Sequence, residues 1–315
     1  MDEGVLHLRN GDLSVDVSRF GGSLLSASYR GIFFLKPTPT AGLASRLLGA
    51  EASFPLVPYG NRIEANAFDF GGKRFLMQPN TADPYCLHGD GWLAEWEVIS
   101  QTSSLATLRY VHCSEPSSPY AYETIQTVKL ADDGVAISLS VANKSDIPLP
   151  YGLGFHPFFP RTPRTRLKAQ AGRYWTERAG HLPDVSISVP EGLDFAASRP
   201  LPAHWINNAF DGWNGTAWME WPEDGLCLSL TADSIFRCFM IYSPDAHADF
   251  FCFEPMSHLP NAHNMIASGG LVTLMPEQNL AGSMRLHPAA LPPPILHKHE
   301  AEQQNAHQRL EVGTR

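Results

Sequence analysis

The chain has 315 residues, a formal net charge of −9, 43% hydrophobic and 17% charged residues, and a pI near 5.8. Such an acidic chain lacks the basic footprint that nucleic acid requires, and its apolar share excludes general disorder. No stretch approaches the roughly 20 apolar residues of a membrane helix, so neither nucleic acid nor membrane is expected as a partner.

The opening Met1-Asp2-Glu3-Gly4 is acidic and lacks the basic-then-apolar form of a signal peptide, which makes the cytoplasm the default expectation. Leu13–Val17 then reads apolar on every second residue, the period of a half-buried strand, and breaks at Phe20-Gly21-Gly22. Only Ala41–Leu48 carries a helical look. Leu105–His112 and Glu123–Leu130 alternate more loosely around a Ser/Pro loop at residues 114–119. Val135–Val141 follows the turn Asp132-Asp133-Gly134. Leu226–Thr231, Cys238–Tyr242, Gly270–Pro276 and Met284-Arg285-Leu286 continue the pattern. With 25 glycines and 26 prolines between short strands, the expectation is an all-β fold of two large packed antiparallel sheets. From about His287 the text turns to Pro-rich and then polar residues with little to bury, so residues 1–287 are read as one domain and 288–315 as a mobile tail. Cys86, Cys113, Cys227, Cys238 and Cys252 form an odd set without a CxxC pair, as expected of small buried hydrophobes in a reducing compartment.

Three clusters do not read as core. Pro58-Tyr59-Gly60-Asn61-Arg62-Ile63 and Leu87-His88-Gly89-Asp90-Gly91-Trp92 together offer an amide, a rigid guanidinium, an imidazole and an aromatic plate. Either segment alone is read as an ordinary strand-end turn. In the second cluster, Gly154-Phe155-His156-Pro157-Phe158-Phe159, the proline biases His156 toward extended backbone and the aromatics give it a partly dry setting. The third is Phe250-Phe251-Cys252-Phe253-Glu254-Pro255, where a carboxylate closes an apolar run. Generic readings are a packed histidine and a strand-end glutamate reaching solvent. The functional reading is an acid–base couple in a semi-dry cleft. Glu254, His258 and His263 match no zinc spacing, and the tail pair His297/His299 is weak, so no metal and no cofactor are expected.

In this order and spacing the segments resemble the aldose 1-epimerase (galactose mutarotase) family: Tyr59-Gly60-Asn61-Arg62-Ile63, Leu87-His88-Gly89 with Trp92, Gly154–Phe159, and Phe253-Glu254-Pro255 with Asn261. The resemblance covers roughly residues 5–287. It implies a β-supersandwich with an open cleft, and a small sugar as partner. It further implies that Glu254 takes the C1 hydroxyl proton while His156 protonates the ring oxygen. Arg62 and His88 would then contact substrate hydroxyls or assist the ring oxygen, with Asn61 a further substrate-binding residue. One departure stands out. Where the family often has aspartate in Leu-Asp-x-x-Phe, this chain reads Ile206-Asn207-Asn208-Ala209-Phe210. Asn207 can hydrogen-bond a hydroxyl but carries no charge, which leaves sugar specificity open. Two alternatives follow. A hexose-6-phosphate epimerase would draw on Lys73 and Arg74, or on Arg161, Arg164 and Arg166. A sugar-binding or sensing protein would keep the cleft without the chemistry.

Overall fold

Strands make up just over half of the described residues, many of them from alternating apolar and polar text. The computed structural model describes residues 4–39 and 49–292. Within them an eleven-stranded antiparallel sheet runs, in spatial order, Val5–Asn10, Leu13–Ser18, Leu24–Tyr29, Ser53–Leu56, Gly154–Pro160, Phe250–Met256, Cys238–Ser243, Ile206–Asp211, Arg173–Arg178 and Leu182–Ile187, with Ile32–Leu35 branching from Leu24–Tyr29. A nine-stranded sheet runs Glu97–Gln101, Leu105–His112, Tyr122–Ala131, Gly134–Asn143, Asn279–Ala290, Leu226–Ala232, Thr216–Trp221, Arg166–Ala169 and Arg199–Pro200. The expected all-β sandwich is therefore what forms, and the described helical pieces are short 3-10 turns. No described helix is long and apolar enough to cross a membrane.

The sheets face each other through one core. Leu8, Val15 and Val17 of the larger sheet share it with Leu108, Val128, Ile137, Leu139 and Leu228 of the smaller. Burying each such side chain contributes roughly 1.5–3 kcal/mol. Every second residue of the larger sheet's central strands points into this core: Phe155, Phe159, Phe251, Phe253, Phe239 and Phe210. Their neighbours point the other way and form a second, smaller cluster with Phe54, Phe158, Cys252, Met240 and Ala209. Both faces are thus apolar, which is why these strands read as near-continuous hydrophobic text rather than clean alternation. The second face carries the chemistry.

Two expectations shift. Of Gly270–Pro276, only Val272–Leu274 is strand; positive φ at Gly269 and Gly270 ends the preceding 3-10 turn and delays the extended run. The last strand ends at Ala290, so the residue 287 boundary falls inside it. The Ala41–Leu48 segment, the tail after residue 292, and His297 and His299 lie outside the described residues. All five cysteines are free, and all but Cys113 are buried.

Candidate active site

His156 and Glu254 sit on adjacent strands of the larger sheet. The register pairs Gly154 with Met256 and Phe158 with Cys252, which places His156 directly across from Glu254 on the second face. Their side chains are 10% and 3% exposed, and His156 Nε2 lies 3.3 Å from Glu254 Oε1. The imidazole packs against both Phe54 and Phe158, with centroids 4.5 and 4.8 Å away. Burial pushes Glu254 up to about 8, against the opposing charge of Arg62, and pushes His156 down to about 3. The pair therefore holds one proton at neutral pH, placed by burial on the carboxyl. Glu254 Oε2 and His156 Nδ1 have no hydrogen-bond partner among the described residues. Two unsatisfied buried polar atoms cost roughly 1–3 kcal/mol each, a cost retained where the groups serve a ligand or a reaction.

The remaining donors come from two tight turns. Asn61 and His88 both adopt left-handed backbone, φ 62° and 61°. They interlock: the Asn61 N–H donates to His88 Nδ1 at 3.0 Å, and the His88 N–H donates to the Asn61 carbonyl at 3.0 Å. Because Nδ1 is an acceptor, neutral His88 carries its hydrogen on Nε2. Burial, with help from His156 and Arg62, holds the ring well below its ordinary pKa and so keeps it neutral. His88 stands perpendicular to His156, with ring centroids 5.1 Å apart. Asn61 commits its side-chain oxygen to the Arg62 N–H at 2.9 Å, which makes it a residue that shapes the turn.

Gly89 lets this loop close. Its φ is +70°, and a Cβ there would lie 2.2 Å from the Val57 carbonyl oxygen. Gly89→Ala is therefore expected to lower the thermal midpoint by several degrees in a melting curve, since the strain of roughly 1–3 kcal/mol has no side chain to yield.

Arg62 is held from behind. Its Nε and Nη2 both donate to Asp83 Oδ2, at 2.9 and 2.7 Å, and each side chain of this pair is only 15% exposed. Asp83 sits in the loop Asn80-Thr81-Ala82-Asp83-Pro84 with no pattern to mark it, and sequence reasoning missed it. Asp83→Asn should raise KM roughly tenfold while changing kcat less, because it loosens Arg62 without touching the proton-transfer pair; steady-state kinetics reads the split.

Other candidates find different places. Trp92 is buried rather than an open plate: it stacks on Phe54 at 4.9 Å and donates its Nε1 hydrogen to the Leu87 and Gly89 carbonyls. His258 accepts the Gly60 N–H on Nε2 and bonds the Leu259 carbonyl through Nδ1, while His263 pairs with the Tyr120 hydroxyl. Both histidines are thereby committed to the frame of the Gly60–Arg62 turn. Cys252 brings Sγ within 4.8 Å of the His156 and Glu254 ligand atoms, but burial pushes its thiol well above the ordinary range, and a protonated thiol is a poor metal ligand. Asn207 lies two strands from Glu254 and donates to Glu177 Oε1 at 2.8 Å. Of the cations proposed for a phosphate, Arg74 pairs with Asp69, Arg164 with Glu223, and Arg166 with Ser198; Arg161 binds the Asp245 and Pro202 carbonyls.

The fold recurs in known proteins. The family profile described as aldose 1-epimerase matches residues 4–287. The uncharacterized protein YphB of Escherichia coli K12 is 38% identical over 288 residues, covering 89% of this chain and 97% of its own. A crystal structure from E. coli K12, provisionally described as an aldose 1-epimerase, superposes with a TM-score of 0.85 at 37% identity, covering 91% of this chain and 99% of its own. The GalM/aldose epimerase homologue of C. elegans gives a TM-score of 0.79 at 16% identity over 92% of this chain and 99% of its own, a likeness of fold. The sandwich is thus of the galactose mutarotase-like kind. On the profile match and the YphB likeness, the chain belongs to the aldose 1-epimerase family, a family of isomerases.

Proposed function

We propose that this protein interconverts the α and β anomers of a free aldohexose or a close relative by acid–base ring opening and reclosure. The observation that carries the reading is the buried Glu254/His156 pair, directly opposed across two strands at 3.3 Å. Ring opening needs one group to take the proton of the C1 hydroxyl and another to give one to O5, and a pair holding a single shared proton can do both. Glu254 as carboxylate takes the hydroxyl proton, and His156 as imidazolium delivers its proton to O5. The C1–O5 bond breaks to an open-chain aldehyde. C1 turns about the C1–C2 bond, and closure from the other face returns each proton to its donor. The resting pair reaches the reactive form by moving one proton from carboxyl to imidazole, without exchange with solvent.

Two further features support the assignment. The Nε2–H of His88 is a neutral donor beside the pair, suited to a sugar oxygen, and Arg62 adds a positive charge that favours the carboxylate. A 6-phosphate finds less support, since four of the five candidate cations are already engaged by the protein. The test is polarimetry on freshly dissolved α-anomers of D-glucose, D-galactose and glucose 6-phosphate. Relaxation to the same final rotation, at a rate proportional to protein, is expected for a free hexose. Preference for the 6-phosphate would overturn the substrate assignment, and sugar binding by calorimetry at the buffer rate of relaxation would overturn the catalytic one.

A further inference from the structure

The aspartate that the family often carries is Asn207 here, yet the structure restores a carboxylate beside it from a different strand. Arg173–Arg178 pairs with Ile206–Asp211 at the far side of the cleft face, with Tyr174 opposite Phe210 and Arg173 opposite Asp211. Continuing this register by three residues sets Glu177 beside Asn207. Three groups hold the Glu177 carboxylate. Asn207 Nδ2 donates to Oε1 at 2.8 Å, Trp205 Nε1 donates to Oε2 at 2.9 Å, and His181 Nδ1 lies 2.6 Å from Oε1. Burial works to raise its pKa, but these hydrogen bonds outweigh it and keep the carboxyl below the ordinary value. The side chain is 22% exposed, so it is oriented yet reachable. Glu177, Asn207 and Trp175 line one depression together with Met240, and Met240 is paired directly with Glu254. Trp175 adds a buried Nε1 hydrogen that has no partner among the described residues.

The ring itself gives the direction. In a pyranose the corner opposite O5 is C3. With O5 at His156 and C1 over Glu254, C3 points along the sheet past Met240 toward Ile206–Asp211, two strands and roughly 10 Å beyond Glu254. Glu177 stands one strand further out, but its carboxylate reaches back to within 2.8 Å of Asn207 Nδ2, and the sugar with the inward-reaching side chains spans the rest. Asn207 cannot supply an anionic acceptor there, and one of its two amide hydrogens is spent on Glu177.

We propose that Glu177, held by Trp205, Asn207 and His181, is a specificity residue of this site, accepting a hydrogen bond from the sugar's C3 hydroxyl. This rests on the mutarotase reading for the placement of the ring, and makes the subsite a two-strand device in which Asn207 orients and Glu177 carries the charge. A site that accepts from a hydroxyl discriminates against the analogue lacking it, because that charge-assisted hydrogen bond is lost with nothing in its place.

The test compares D-galactose with 3-deoxy-D-galactose, and the matching glucose pair, on wild type, Glu177→Gln and Glu177→Gln/Asn207→Asp. Calorimetric binding is read alongside kcat and KM for mutarotation. Wild type should prefer the parent sugar over the 3-deoxy analogue by roughly 10- to 100-fold in binding and kcat/KM. Glu177→Gln should lose that preference, mostly through KM, and moving the charge to position 207 in the double variant should restore much of it. A Glu177→Gln protein with a wild-type thermal midpoint and an unchanged preference overturns the proposal, as does a double variant no better than the single one. Wild type that binds sugars without mutarotation overturns the enzyme reading alone, and the binding ratio then decides the role of Glu177.

Discussion

Glu254→Gln should abolish mutarotation, lowering kcat roughly 10²- to 10⁴-fold, while making the protein more resistant to alkali. The first effect follows from removing the one group able to take the C1 hydroxyl proton at the position across from His156. The second follows from the cost of burying the carboxylate. Folding raises the Glu254 pKa from 4.5 to about 8 and lowers that of His156 from 6.5 to about 3. Below pH 4.5 the unfolded chain holds the extra proton on histidine, so stability falls as pH drops toward 3. Between 4.5 and 6.5 both states hold one proton, on different atoms, and the pair is silent. Above 6.5 only the folded state keeps a proton, so stability falls as pH rises through about 8, by about 2 kcal/mol at order of magnitude. Glutamine has no proton to lose. The pH dependence of the thermal midpoint should therefore flatten above pH 6.5 in Glu254→Gln, and a fall parallel to wild type would show that the carboxyl is not the titrating group.

His156→Asn should cost a comparable factor, roughly 10²- to 10⁴-fold in kcat, with much less effect on sugar binding. The asparagine keeps a polar tip against Phe54 and Phe158 but cannot hand a proton to O5. The pH profile of the wild-type enzyme belongs to the same argument. Because the two groups titrate as a unit, the proton count of the pair sets the limits, whichever atom holds the proton. The kcat/KM profile should be flat around neutrality and fall tenfold per pH unit above about 8, where the pair loses its only proton. A profile that rises through pH 8 would mean that the active form carries none.

The residues legible in the sequence are those whose neighbours are themselves distinctive. Phe-His-Pro-Phe-Phe and Phe-Glu-Pro mark two central strands with apolar residues on both faces, and period-two geometry then forces His156 and Glu254 onto the same side. Asn61 and His88 were legible as turn residues, though not as an interlocked pair, since their contact spans 27 positions. Asp83 and Glu177 were not legible at all. Each acts by holding or replacing a group from another part of the chain, and an acidic residue in polar text carries no local sign of that. The strands Leu13–Ser18 and Gly134–Asn143 stood out because only one face is buried, whereas the 266–274 stretch was obscured by glycines that end a 3-10 turn. Trp92 illustrates the converse error: an aromatic beside glycines suggested a sugar plate, but its ring stacks on Phe54 and supports the loop that positions His88.

Anomeric exchange measured at equilibrium addresses the central claim most directly. Two-dimensional exchange spectroscopy on the anomeric protons of D-galactose or D-glucose reads α–β interconversion without net reaction. With wild-type protein the exchange rate should rise in proportion to protein concentration, fall above pH 8, and drop to the buffer rate in Glu254→Gln. Sugar resonances that broaden on binding while α–β exchange stays at the buffer rate would contradict the account, leaving a protein that holds the sugar without opening its ring.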